Sequence, residues 1–145
     1  MHLDEILKNW EVDSVVDKTE IADASLAIPQ LHSKYFKIFA NEKLLLRKYE
    51  AEHKALRFEK WEFYSDGPTK EQVEKGWKLP PKGRILKADV PIYLEGDKDL
   101  IELSLKIGLQ NEKVALVDNI IKSLSNRSYQ LATALGFLKF ENGLA

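Results

Sequence analysis

Apolar residues return every three or four positions at Ile21, Ala24, Ile28, Leu31, Tyr35, Ile38, Leu45, Tyr49, Leu56 and Phe63. No other feature constrains the fold as strongly, because only a helix places such a series on one face. Asp17 and Glu20 stand at capping-box spacing just ahead of it, so a helix is predicted over residues 18–65. Pro29 lies inside that span and predicts a kink or a split, since it removes a backbone donor and crowds the preceding turn. Ser65-Asp66-Gly67-Pro68 ends the pattern. About 45 residues of helix would extend roughly 65 Å, more than a small chain buries by itself.

Downstream, residues 66–96 are predicted to form a basic loop with a short strand. Glycine and proline concentrate at Gly67, Pro68, Gly76, Pro80, Pro81 and Gly83. Arg84 to Leu94 alternates as a strand would, with Pro91 confining it to a sheet edge. Asp97 or Asp99 then caps a second helical region over 97–143, Glu102 completing a capping box with Asp99. Its apolar seam is Leu100, Leu103, Ile107, Val114, Val117, Ile121 and Leu124, with Gln110 the one polar member. Such a heptad seam normally faces another helix. Ser125-Asn126 predicts a break, after which Arg127 to Phe140 forms a last short helix ending at Gly143. The fold class is therefore mainly α: one domain over 1–145, two long helices, and a small strand and loop region between them. Two long seams need partners to leave water, and self-association through Leu100–Leu124 is the simplest supply. Packing of helix on helix within the chain is the alternative. On the first of these, aspartate at Ile107 and Val117 would yield monomers.

Charge is distributed unevenly. The formal net charge is −1, yet residues 1–23 carry two basic groups against seven acidic ones. Residues 34–60 carry eight basic against four acidic, and residues 68–90 six against three. An acidic head thus precedes a basic middle, and this asymmetry speaks to partners more than the total does. The head, Asp4 to Asp23, is suited to docking protein partners or competing for the basic face. No apolar run approaches the ~20 residues of a membrane span, and the first residues lack a signal-peptide profile. Without cysteine there are no disulfides or thiolate zinc sites. These features predict a cytoplasmic setting.

Enzymatic chemistry is not evident. His2, His32 and His53 are far apart and lack partners at metal-ligand spacing, so no metal or other cofactor is predicted. Pro80-Pro81-Lys82-Gly83-Arg84 lacks the strand–loop–helix context of a phosphate loop. Glu52-His53-Lys54 matches a nuclease motif only in letters, since it lies within a helix. The basic helix is more informative. Lys43, Arg47, Lys54, Arg57 and Trp61 follow one another at helical spacing along one face, with Glu50 on the same stripe. Phe58, Trp61, Phe63 and Tyr64 cluster at its end, before a loop containing Trp77. Cations that track phosphates, mixed with aromatics that stack on bases, are the composition of a single-strand binding surface. A long helix whose charges merely face solvent is the plainer reading of the same residues.

From Glu50-Ala51, through Lys54, to Lys60-Trp61-Glu62-Phe63-Tyr64-Ser65 and Gly67, the chain resembles the UvsY family of phage recombination mediators. Looser likeness continues at Leu31-His32-Ser33-Lys34-Tyr35, Leu86-Lys87-Ala88-Asp89 and Phe140-Glu141-Asn142-Gly143. The resemblance implies a ring-like homo-oligomer that binds single-stranded DNA. It further implies recombinase loading in homologous recombination, recombination-dependent replication and repair. The implied partners are single-stranded DNA, a phage recombinase (UvsX-like), the single-strand DNA-binding protein and further copies of the chain, with no membrane. The localisation it implies is the host cytoplasm. The family's basic pair falls on Phe58 and Lys60, of which only Lys60 keeps the charge. The implied DNA-contacting residues are accordingly Lys54, Arg57 and Lys60, then Lys43 and Arg47, with Phe58, Trp61 and Tyr64 as stacking candidates. The alternatives are a helical adaptor or scaffold that binds only protein, and a binder of duplex or RNA through the same helix.

Overall fold

The computed structural model describes residues 1–81 and 85–144. Five α-helices follow in order: α1 (Leu3–Asp13), α2 (Ile21–Asp66), α3 (Lys70–Glu74), α4 (Val90–Glu95) and α5 (Lys98–Glu141), with a 3-10 turn at Lys87–Asp89 before α4. No helix is long and apolar enough to cross a membrane among these residues. The chain folds as two compact units, Met1–Leu44 with Asn111–Ala145 and Leu45–Gln110, and each takes part of both long helices.

In the first unit, Ile6 from α1, Tyr35 from α2, and Val117, Ile120 and Leu124 from α5 are buried together. Trp10 meets the Tyr35 ring edge-on at 5.6 Å, and the Tyr35 hydroxyl donates to Asp13 at 2.8 Å. Lys34 pairs with the same Asp13 oxygen at 2.6 Å. Burial of Asp13 works against its charge, but these two donors outweigh it and hold its carboxyl below the ordinary range. Arg127, 8 % exposed, donates to the Asp13 carbonyl at 3.0 Å and lies over the Trp10 ring. Glu42, which interrupts the apolar register of α2, is buried beside Lys113 at 3.6 Å.

Pro29 does not split α2. It sits on an exposed face together with Ser25, whose carbonyl loses its helical partner, so water can take up that acceptor. Asp17 and Glu20 do not form the capping box. Asp17 instead accepts from the backbone N–H and hydroxyl of Thr19, an Asx turn that leads into Ile21. Ser125-Asn126 does not interrupt α5 either. The Ser125 hydroxyl donates to the Ile121 carbonyl within the helix, and Leu124 and Arg127 beside it are buried. The helix runs on to Glu141, where Gly143 at φ 70° closes it in a Schellman motif with Leu144 N–H on the Lys139 carbonyl.

The second unit buries Val90 and Leu94 of α4 against Leu100 of α5, with Leu56, Tyr64 and Ile85 packed around them. No strand occurs among the described residues, and Arg84, where the strand was expected to begin, lies outside them. The segment alternates, but Val90 and Leu94 also stand four apart, and Pro91 falls in the first turn of α4, where its missing N–H costs nothing. The expected loop region over 66–96 contains α3, which Thr69 and Gln72 start with a reciprocal capping box. Gly67 at φ 85° ends α2, its N–H on the Phe63 carbonyl.

Four of the seven residues of the α5 heptad seam, Leu100, Val117, Ile121 and Leu124, thus pack within the chain. Val117 and Leu124 are fully buried, Leu100 is 5 % exposed, and Leu103, Ile107, Val114 and Ile121 are half-buried. Its partners are α1 and α2 in the first unit, and α4 and α2 in the second.

Candidate nucleic-acid interface

The second unit sorts the basic and aromatic residues of α2 into two groups. Lys60 belongs to the interior. It is 4 % exposed, lies 2.8 Å from Asp99 and 3.2 Å from Asp97, and is covered by the Trp77 ring at 3.8 Å. Asp97 also accepts from the Tyr64 hydroxyl at 2.5 Å and from the Leu100 N–H at 3.1 Å, which makes it the cap of α5. One carboxylate therefore ties the end of α2 to the start of α5. Phe63, 1 % exposed, and Trp77 pack edge-to-face at 5.5 Å and close the cluster from the α3 side. Lys75 adds an ion pair to Glu59 at 2.7 Å.

Burial favours the neutral form of Asp97, but hydrogen bonds from Tyr64, Leu100 N–H and Lys60 outweigh it and hold its carboxyl below the usual range. Burial and the same carboxylate push the Tyr64 phenol above its ordinary value. Because the folded-state pKa of Asp97 lies below the unfolded value of about 3.9, the stability it adds is complete above that pH. It is lost as pH falls through the depressed folded value. The urea midpoint of the second unit is expected to hold from pH 7 to 5 and to drop below about pH 4. Asp97→Asn is expected to lower the midpoint at pH 7 and flatten that acid slope. A variant with the wild-type slope would show that Asp97 is not the titrating group.

The other group faces solvent. Arg47, Lys54 and Arg57 are exposed and make no ion pair among the described residues. Phe58 is 61 % and Trp61 45 % exposed, their rings stacked 6.4 Å apart at 17°. Lys54, Arg57, Phe58 and Trp61 together line an open concavity. At 100° per residue, Arg47, Lys54, Arg57, Phe58 and Trp61 all fall within about a quarter-turn of α2. Two large stacked rings left in water between cations are a costly arrangement for a face that only solvates the helix. Lys43 belongs to the first unit, exposed and with its ammonium 5.3 Å from the Phe39 ring.

Of the sequence-predicted contacts, the structure brings together Lys54, Arg57, Phe58 and Trp61, with Arg47 on the same face. It places Lys60 and Tyr64 in the capping cluster instead. Sequence reading did not single out Asp97 and Asp99 as partners of Lys60; their acidic charge at a helix start was visible, but not the residue they would reach. It also did not mark α1 as a helix, although Leu3, Ile6 and Trp10 stand at helical spacing.

Every regular element among the described residues is helical. One face of α2 carries exposed cations and aromatic rings, which defines the class as a mainly α protein with a cationic, aromatic helix face. The family model described as recombination, repair and ssDNA binding protein UvsY matches residues 9–144. The chain belongs to the UvsY family. Crystal structures of the bacteriophage T4 recombination mediator protein UvsY are similar in fold. One superposes with a TM-score of 0.79 at 16% identity, over 97% of this chain and 99% of that one. A second lattice form gives the same score and identity over 98% of each. No curated protein sequence matches.

Proposed function

We propose that this protein is a recombination mediator that binds single-stranded DNA and promotes loading of a recombinase onto it. The observation that carries the reading is the exposed stacked pair Phe58 and Trp61 among Arg47, Lys54 and Arg57. Cations on one helix face follow the phosphates, and the rings stack on bases without reading their identity. Family membership supports the role in recombination. The partners are a UvsX-like recombinase and the single-strand DNA-binding protein that coats the strand. No catalytic step is assigned to the chain.

Self-association is part of the proposal. Leu100, Val117, Ile121 and Leu124 of the seam pack inside the chain, whereas Tyr129, Phe137 and Phe140 are 80 %, 63 % and 75 % exposed along the end of α5. Their spacing puts them on one stripe of the helix, an apolar patch of the kind that marks an interface. Assembly through this end gives many weak strand contacts per particle, so avidity secures the strand. Phe137→Asp with Phe140→Asp is expected to reduce the mass by light scattering to that of one chain, with the helix content kept. An unchanged mass would remove this interface.

The test of strand binding is fluorescence anisotropy of a labelled oligothymidylate from low to moderate salt. Tight binding that weakens steeply with salt and is poorly competed by duplex is expected. Absence of binding at low salt would overturn the proposal and leave a protein–protein adaptor.

A further inference from the structure

Arg57 lines two concavities of the second unit. One is the aromatic groove described above. The other, of about 300 Å³, has Leu100, Ile101 and Leu105 as apolar walls and His53, Ser104 and Glu95 among its polar groups. The His53 Nε2 and Ser104 Oγ lie 3.2 Å apart and fix each other across the space between α2 and α5. Ile101 is 44 % and Leu105 70 % exposed, so much of the apolar wall is open to solvent.

We infer that this pocket receives a nucleobase of the bound strand, an inference that rests on the strand-binding reading. Its volume lies at the lower end of the range for small-molecule sites, which suits one heterocycle. The aliphatic walls match the faces of a base, and His53 and Ser104 offer donors and acceptors to its edge. The Glu95 carboxylate disfavours a phosphate as the occupant. Arg57 borders both concavities, so a phosphate held there leaves one neighbouring base free to stack on Phe58 and Trp61 and the other to enter the pocket. Insertion, like stacking on Phe58 and Trp61, requires a base, so it is the variants of the pocket wall that separate the two.

Two variants at exposed positions test this: Ser104→Phe fills the pocket, and Leu105→Ser strips its wall. Each is measured by anisotropy against oligothymidylate and against an abasic oligomer of equal length, with a melting curve to confirm the fold. Both variants are expected to lose about fivefold or more in affinity for the base-bearing strand and to bind the abasic strand as the wild type does. Unchanged affinity for both strands, or an equal loss on both, would overturn the pocket while leaving strand binding in place. Failure of the wild type to bind either strand would sink the strand-binding reading itself and the pocket with it.

Discussion

Val117→Asp is expected to unfold the first unit rather than to release a folded monomer. Val117 is fully buried with Ile6, Tyr35, Ile120 and Leu124 around it, so an introduced carboxylate would enter an apolar cluster. The substitution forfeits roughly 1.5–3 kcal/mol of apolar burial and leaves a charge that costs several kcal/mol more unless it is protonated. A domain has only about 5–15 kcal/mol in all, so the loss is comparable to the whole. Circular dichroism and urea unfolding are expected to show lost helix content and a collapsed midpoint. Phe137→Asp, at an exposed position, should leave both near wild type. A folded Val117→Asp monomer would mean that the seam faces another copy of the chain in solution, as the heptad spacing alone suggests.

The second large effect concerns the exposed face of α2. Phe58→Ala with Trp61→Ala is expected to weaken oligothymidylate binding by about fivefold to a hundredfold, since one base stack contributes ~1–3 kcal/mol. The salt dependence should be little changed, because no cation is removed. Lys54→Ala with Arg57→Ala should do the opposite. Affinity falls, and the slope of log affinity against log salt becomes shallower by about 0.7 for each phosphate no longer neutralised. Lys60→Ala separates the two groups of residues. It leaves Asp97 buried without its cation, so it should destabilise the second unit by roughly 3–5 kcal/mol. While the chain stays folded, it should leave the salt slope alone. Equal slopes for wild type and the Lys54, Arg57 double variant would remove these two cations from the strand path. A slope lowered by Lys60→Ala would show that Lys60 leaves its carboxylates to meet the strand.

Much of the fold was legible because it is local. The three–four spacing and the Ser65–Pro68 stop located α2 over 18–65, against Ile21–Asp66 observed. Asp97, one of two named caps, does start α5. The misreadings are equally physical. Arg84–Leu94 satisfies a strand period and, at Val90 and Leu94, a helical one, and a segment that short takes its form from what it packs against. Ser125-Asn126 is a weak helix signal overridden by the burial of Leu124 and Arg127 on either side.

Where α2 runs, where α5 starts, which face of each is apolar, and the basic, aromatic character of the middle of the chain are all written in the local sequence. Nearest neighbours decide these, through backbone hydrogen bonds and the 3.6-residue turn. Tertiary packing was needed to bury Leu100, Val117 and Leu124 of the α5 seam within the chain. It also decided that Lys60, three residues from Arg57 on one helix, is held by carboxylates 37 and 39 positions away while Arg57 stays in water. The two side chains have the same charge and nearly the same local sequence. What separates them is which carboxylates the fold carries up to each, and that depends on the packing of segments distant in the chain.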